Sequence, residues 1–297
     1  MTSEMTRETT SGMLGGAEGA LQGLDHVLVG VHDLEATRAI WSRLGFTVCP
    51  RGRHIGWGTA NYCLMFPQDY VELIGIVDAS QFTNRLDTFL AEREGLMAVA
   101  FATEDAERCV ETLRTHGIAA DGPKDLKRII ELPEGDALPE FRLVFTPSEA
   151  TPDLQSFVVT HLSRDVVWRP DWLEHANGAQ GVVEVVAAVG LPGALGQAYS
   201  RIFGSDAVSA ADGWLQVATG SSRLTFLGPK TLAARYPAAA AYPLPWLVGF
   251  AVGVGDLGAT AAYLESAEVA FDRGEDGRLV VDPAEANGVT LEFVAAA

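Results

Sequence analysis

The feature that most constrains this chain is an internal repeat. Residues 24–34, LDHVLVGVHDL, alternate as a strand does, with Val27, Val29 and Val31 on one face and His26, Leu28 and Gly30 on the other. A helical pattern follows. Asp33 is placed to cap it, Leu34, Thr37, Ile40, Trp41 and Leu44 recur at helical spacing, and Gly45 ends it. Three strands are predicted next, near residues 48–53, 58–66 and 70–76, separated by Gly52, Gly56 and Pro67-Gln68-Asp69. The unit is therefore βαβββ. A second copy lies at an offset of 72 residues, where Asp105 and Gly117 replace Asp33 and Gly45 and the first strand surrounds Val99 and Phe101. The third begins at VVEVVAAVG (182–190), and its YSRIFG (199–204) echoes WSRLG (41–45) with one residue inserted. The fourth runs from LVGFAVGVGDLGATAAYL (247–264) to VTLEFVA (289–295), where Glu292 echoes Glu72.

A βαβββ unit covers one face of its sheet with its helix and leaves the other bare, so two units must combine their bare faces into a cup. Four units predict an α+β chain with two cupped, barrel-like domains. The expected division is a disordered tail at 1–21, a first domain at 22–165 that carries the site, a connector at 166–180, and a degenerate or supporting second domain at 181–297.

With 48% apolar residues, the chain has material for a substantial core. Lys and Arg number 21 against 39 Asp and Glu, and the net charge of −18 repels phosphate backbones and anionic membranes. Neither nucleic acid nor membrane is expected as a partner. Cys49, Cys63 and Cys109 are too few for a disulfide framework, which fits a reducing cytoplasm. No G-x-S-x-G elbow, P-loop or strand-linked G-x-G-x-x-G occurs.

The elements DHV, the helix ending in LGF, and the string HIGWGTANY…YVELIG resemble the vicinal oxygen chelate superfamily, and within it the glyoxalase-like domain proteins, over residues 22–296. The segment WRPDWLEHANGA resembles the family's connecting motif, which gives His175, Asn177 and Gly178 an architectural role. The resemblance implies a divalent metal in the cup (Zn, Ni, Mn, Mg or Fe), held by side chains on first and fourth strands. His26 and Glu72 match those positions. Their counterparts, Ala98 and a residue near Val158, carry no ligand atom, and His161 is the remaining candidate for a third ligand.

Strand alternation supports the same focus. If the three valines face the helix, His26 faces the cup, and Glu72 shares the inner face of its strand with Tyr70 and Ile74. A carboxylate inside YVELIGI needs a cation, a histidine or a substrate group beside it. Arg51, Arg53 or His54 forming a plain buried ion pair is the structural alternative. Glu72 and His54 are the candidate acid–base groups, and Trp57, Thr59, Asn61 and Tyr70 the candidate substrate contacts, with Ala98, Ala100 and Ala102 leaving space opposite. The second cup offers Glu184 and Glu292 without a histidine.

Two functions follow. One is a metal-dependent lyase, isomerase or dioxygenase acting on a small oxygenated molecule. The other is a metal-free protein that binds or sequesters a small molecule among Trp57, Tyr62, Tyr70 and Phe101. Either is compatible with a homodimer. The enzyme is preferred, because an apolar cup needs neither an imidazole nor a carboxylate to hold a ligand.

Overall fold

The computed structural model describes residues 17, 19–237, 242–274 and 276–296. The first unit comprises β1 (Gly23–Val31), α1 (Leu34–Arg43), β2 (Gly52–His54), β3 (Thr59–Met65) and β4 (Tyr70–Ile76). After a short α2 (Leu86–Leu90), β5 (Gly95–Ala102), α3 (Ala106–Thr115), β6 (Asp121–Ile130), β7 (Glu140–Phe145) and β8 (Ser156–His161) repeat that order. Helix α4 (Arg164–Val167) opens the connection to β9 (Ala179–Ala188), α5 (Gly196–Phe203), β10 (Val208–Ala211), β11 (Trp214–Thr219) and β12 (Ser222–Leu227). Helix α6 (Pro229–Arg235) precedes the last unit: β13 (Trp246–Val254), α7 (Leu257–Ser266), β14 (Phe271–Arg273), β15 (Leu279–Val281) and β16 (Thr290–Ala295).

Units one and two form a closed barrel in the order β1-β4-β3-β2-β6-β7-β8-β5, sealed by antiparallel β1–β5 and β2–β6 pairs. Units three and four form a second eight-stranded sheet around the antiparallel β9–β13 pair. Its outer strands β10 and β14 do not meet, so this half is an open sheet and not a barrel. Asp33, Asp105 and Asp256 each cap a helix by accepting backbone N–H bonds. Helix α5 departs from the repeat: a 3₁₀ turn at Pro192–Leu195 leads into it, and no side chain caps it.

The alternation of β1 organises the interior. Val27, Val29 and Val31 are fully buried in a core that includes Trp41, Leu44, Val71 and Leu73 and continues into Phe250 and Phe293 of the second sheet. Trp41 stacks on Phe250 at 6.1 Å and donates its indole N–H to Asn287 Oδ1 at 3.2 Å. The connector is equally fixed. His175 accepts from Thr47 N through Nδ1 and donates from Nε2 to Met65 O, while Asn177 donates to Leu44 O. Of the expected tail, residues 1–16 and 18 lie outside the described residues, whereas Ala17 and Ala20 are buried against Val110, Leu113 and Ile202. None of the described helices is long and apolar enough to cross a membrane.

Asp69, in the turn between β3 and β4, is buried and accepts a bond from Val182 N at 2.9 Å. Burial raises its carboxyl to about 7, against the lowering effect of that bond and with help from the charge of Asp25. The folded chain therefore binds this proton more tightly than the unfolded chain, and the contribution of Asp69 to stability falls as pH rises from about 4 to about 7. Asp69→Asn keeps the acceptor and removes the charge. It is expected to raise the melting temperature more at pH 8 than at pH 4; equal shifts at both would contradict this account.

Candidate functional site

The barrel encloses a cavity of about 730 Å³, counting its open mouth. Three sequence-predicted polar groups converge on it: His26 from β1, His54 from β2 and Glu72 from β4. His26 Nε2 lies 3.5 Å from Glu72 Oε2, and His54 Nε2 lies 3.6 Å from Glu72 Oε1. The carboxylate thus sits between two imidazoles, each addressing a different oxygen. Trp57 and Tyr70 also line the cavity, and Tyr70 stacks on His26 at 4.4 Å.

Two of the expected substrate contacts stand behind the wall instead. Asn61 donates to Glu72 Oε1, and Thr59 Oγ1 is 2.8 Å from His54 Nδ1; both residues are 1% exposed and neither lines the cavity. They orient the carboxylate and the imidazole. Gly52 allows this arrangement, because a Cβ there would lie 2.0 Å from Asn61 Oδ1.

Burial alone would raise the Glu72 carboxyl, but His54, His26, Arg128 and the Asn61 bond hold it below the usual carboxylate range. Glu72 is therefore a buried anion in the cavity wall. Burial pushes His54 below its ordinary value, aided by Arg128 and His26 and opposed by Glu72, so its imidazole is neutral at pH 7. Burial pushes the Tyr70 phenol well up, and the charges of Asp25 and Glu72 add to this.

His161 is not a ligand in this cavity. The cavity-facing residues of β8 are Phe157 and Val159, and by strand register Phe157 is the counterpart of Glu72. His161 shares their face but lies four residues beyond Phe157, about 13 Å along the strand. Its Nε2 there meets Asp25 Oδ2 at 3.0 Å, beside a separate pocket. Asp25 also takes His26 Nδ1 at 2.6 Å, which turns His26 Nε2 towards Glu72. Burial by itself would raise the Asp25 carboxyl, but His161 and His26 hold it far below the usual range.

Sequence reasoning missed both Asp25 and Arg128. Strict alternation turns Asp25 away from the face of His26, yet a register shift between Leu24 and His26 marks a bulge at this residue, which lets two consecutive side chains meet. Arg128 pairs across the β2–β6 seam with His54 and enters the cavity wall at 4% exposure. No local pattern announced it.

The donor set does not fit the metal that the resemblance implies. No group of three or more His, Cys, Asp or Glu among the described residues is arranged to hold an ion. Ala98, Phe157 and Val159 occupy the facing strands, and a buried guanidinium adds positive charge beside Glu72. Protein prepared without chelator is therefore expected to carry well under one equivalent of divalent metal by elemental analysis. One tightly held equivalent would overturn this reading. By NMR, the His54 ring is expected to titrate below 6.5, and Arg128→Gln to move that midpoint up; a midpoint above 6.5 in the unaltered chain would contradict the assignment of His54 as neutral.

Residues 24–203 match the family model described as a glyoxalase-like domain. None of the curated proteins matches this sequence. Among solved structures, a hypothetical protein from Staphylococcus aureus superposes with a TM-score of 0.67 at 10% identity, over 92% of this chain and 98% of the other. A mutant of 4-hydroxymandelate synthase from Streptomyces coelicolor gives 0.53 at 12% identity, over 92% of each chain. A xylose isomerase-like TIM barrel/4-hydroxyphenylpyruvate dioxygenase fusion protein gives 0.53 at 13%, over 93% of this chain and 49% of that longer one. Those similarities establish the fold, and the family match establishes the kinship: a closed barrel of two βαβββ units, with its DHV and YVELIG strands side by side, belongs to the glyoxalase-like domain family of the vicinal oxygen chelate superfamily.

Proposed function

We propose that the first barrel, within residues 22–165, is the active site of an isomerase- or lyase-type enzyme that moves a proton on a small oxygenated molecule. Glu72 takes and returns the proton, and His26 and His54 orient the carboxylate and share its charge. One observation carries this reading: an ionised carboxylate is held between two imidazoles at the wall of an apolar cavity. Sequestering an apolar ligand would not require it, and burying a carboxylate costs several kcal/mol unless it is compensated.

In the free protein Glu72 is a weak base, because His54, His26 and Arg128 lower its carboxyl. A ligand that fills the cavity removes water, and an electron-rich oxygen near Arg128 offsets part of the guanidinium's field. Both changes raise the carboxyl towards the range in which proton transfer is efficient. Neutral His54 then offers a second site for the proton, 3.6 Å from Glu72. The second sheet, within residues 181–297, is a supporting domain in this reading. There Arg235 from α6 lies between Glu184 (3.0 Å) and Glu292 (2.7 Å), so the corresponding carboxylates are already neutralised by the chain itself.

The test needs no prior substrate. A panel of carbonyl and hydroxy compounds with an acidic C–H is incubated with the protein in deuterated buffer, and exchange is followed by NMR. Exchange of at least one member is expected, with Glu72→Gln slowing it about 10²- to 10⁴-fold. Compounds that bind without exchange, with affinity unchanged in Glu72→Gln, would leave a binding protein and refute the enzyme.

A further inference from the structure

Arg128 is unusual among the cations of the described residues. It is 4% exposed, yet it has no carboxylate within salt-bridge distance. The one hydrogen bond of its side chain runs from Nη1 to Cys63 Sγ at 3.3 Å, its Nε has no partner, and its guanidinium lies over the Phe141 ring at 5.4 Å. Among the half-buried arginines of the described residues, Arg235 and Arg278 both reach Glu292, and Arg51 and Arg93 lack a carboxylate partner but lie outside the cavity wall. A guanidinium carries five donors and does not lose its charge, so a buried one served by a single thiol lacks its counter-ion. Glu72 does not fill that role, since its oxygens are engaged by Asn61, His54 and His26.

We propose that the cavity binds a monocarboxylate with an apolar body, its carboxylate on the Arg128 guanidinium. The planar fork of Arg matches two carboxylate oxygens. The stretch of wall beside Arg128 is apolar: Leu126, Phe141, Leu143, Phe145 and Phe157 line it through the second half of the barrel, while the polar Thr83, Asn84 and Gln155 lie elsewhere in the lining. With ionised Glu72 nearby, a phosphate dianion would bring two negative charges to one guanidinium, whereas a monocarboxylate brings one. The proposal names the substrate class for the proton-transfer site above, and it stands or falls on binding alone.

Calorimetric titration with 4-phenylbutyrate, its primary amide and inorganic phosphate tests it. The acid is expected to bind about 10- to 100-fold more tightly than the amide, and phosphate more weakly than the acid. Arg128→Gln should bring the acid down to the level of the amide, and Arg128→Lys should restore part of the difference. Glu72→Gln, which slows proton transfer, should leave binding of the acid unchanged or tighter. That variant separates failure of the chemistry from failure of the ligand class. Equal affinity for acid and amide, preference for phosphate, or a difference that survives Arg128→Gln would each overturn the proposal. The acid–amide comparison uses the unaltered chain, so it decides even where a variant does not fold.

Discussion

A carboxylate cannot sit in an apolar barrel wall without compensation, and Glu72 does so at 5% exposure. Much of the cavity can be understood as that compensation. Asn61 donates to one oxygen, His54 approaches the same oxygen and His26 the other, and Arg128 supplies field from across the β2–β6 seam. Each compensating group has its own support: Gly52 makes room for Asn61, Thr59 holds His54, and Asp25 holds His26. The result is a polar cluster in which nearly every position is set by the charge of one residue.

Barrel closure gives this cluster its reach. His26 and Glu72 belong to neighbouring parallel strands, but Arg128 and the apolar lining come from the second unit. Without the β1–β5 and β2–β6 seams, the first unit would present a carboxylate and two histidines to solvent, where their mutual influence is weak. Closure removes water, so the same charges act at low dielectric and shift one another's protonation.

The two halves of the chain handle the same inherited positions differently. Glu184 and Glu292 occupy the places of His26 and Glu72, but an arginine of the same domain, Arg235, lies between them, and Arg278 adds a second contact to Glu292. Charge neutralised from within leaves nothing for a ligand to recognise. In the first barrel Glu72 faces two imidazoles and the Asn61 amide, and the Arg128 guanidinium touches no carboxylate, so it is open to an anion there.

Repetition and alternation were legible in the sequence because they are local. Strand period, the Asp33 cap with its counterpart Asp105, and the offset of 72 residues marked the repeated unit, and parity placed His26 and Glu72 on inner faces. The family resemblance added His54 as a site candidate through HIGWGTANY. Three features needed tertiary structure. The bulge at Asp25 breaks the parity on which the facing argument rests. Whether His161 reaches Glu72 depends on distance along β8, which a count of residues around Val158 does not reveal until the β5–β8 register is known. Arg128 enters the wall only because β2 and β6 pair, a contact between residues more than 70 apart in the chain. Local sequence determines which face a side chain takes; only the closed barrel decides which charges share that face across a seam.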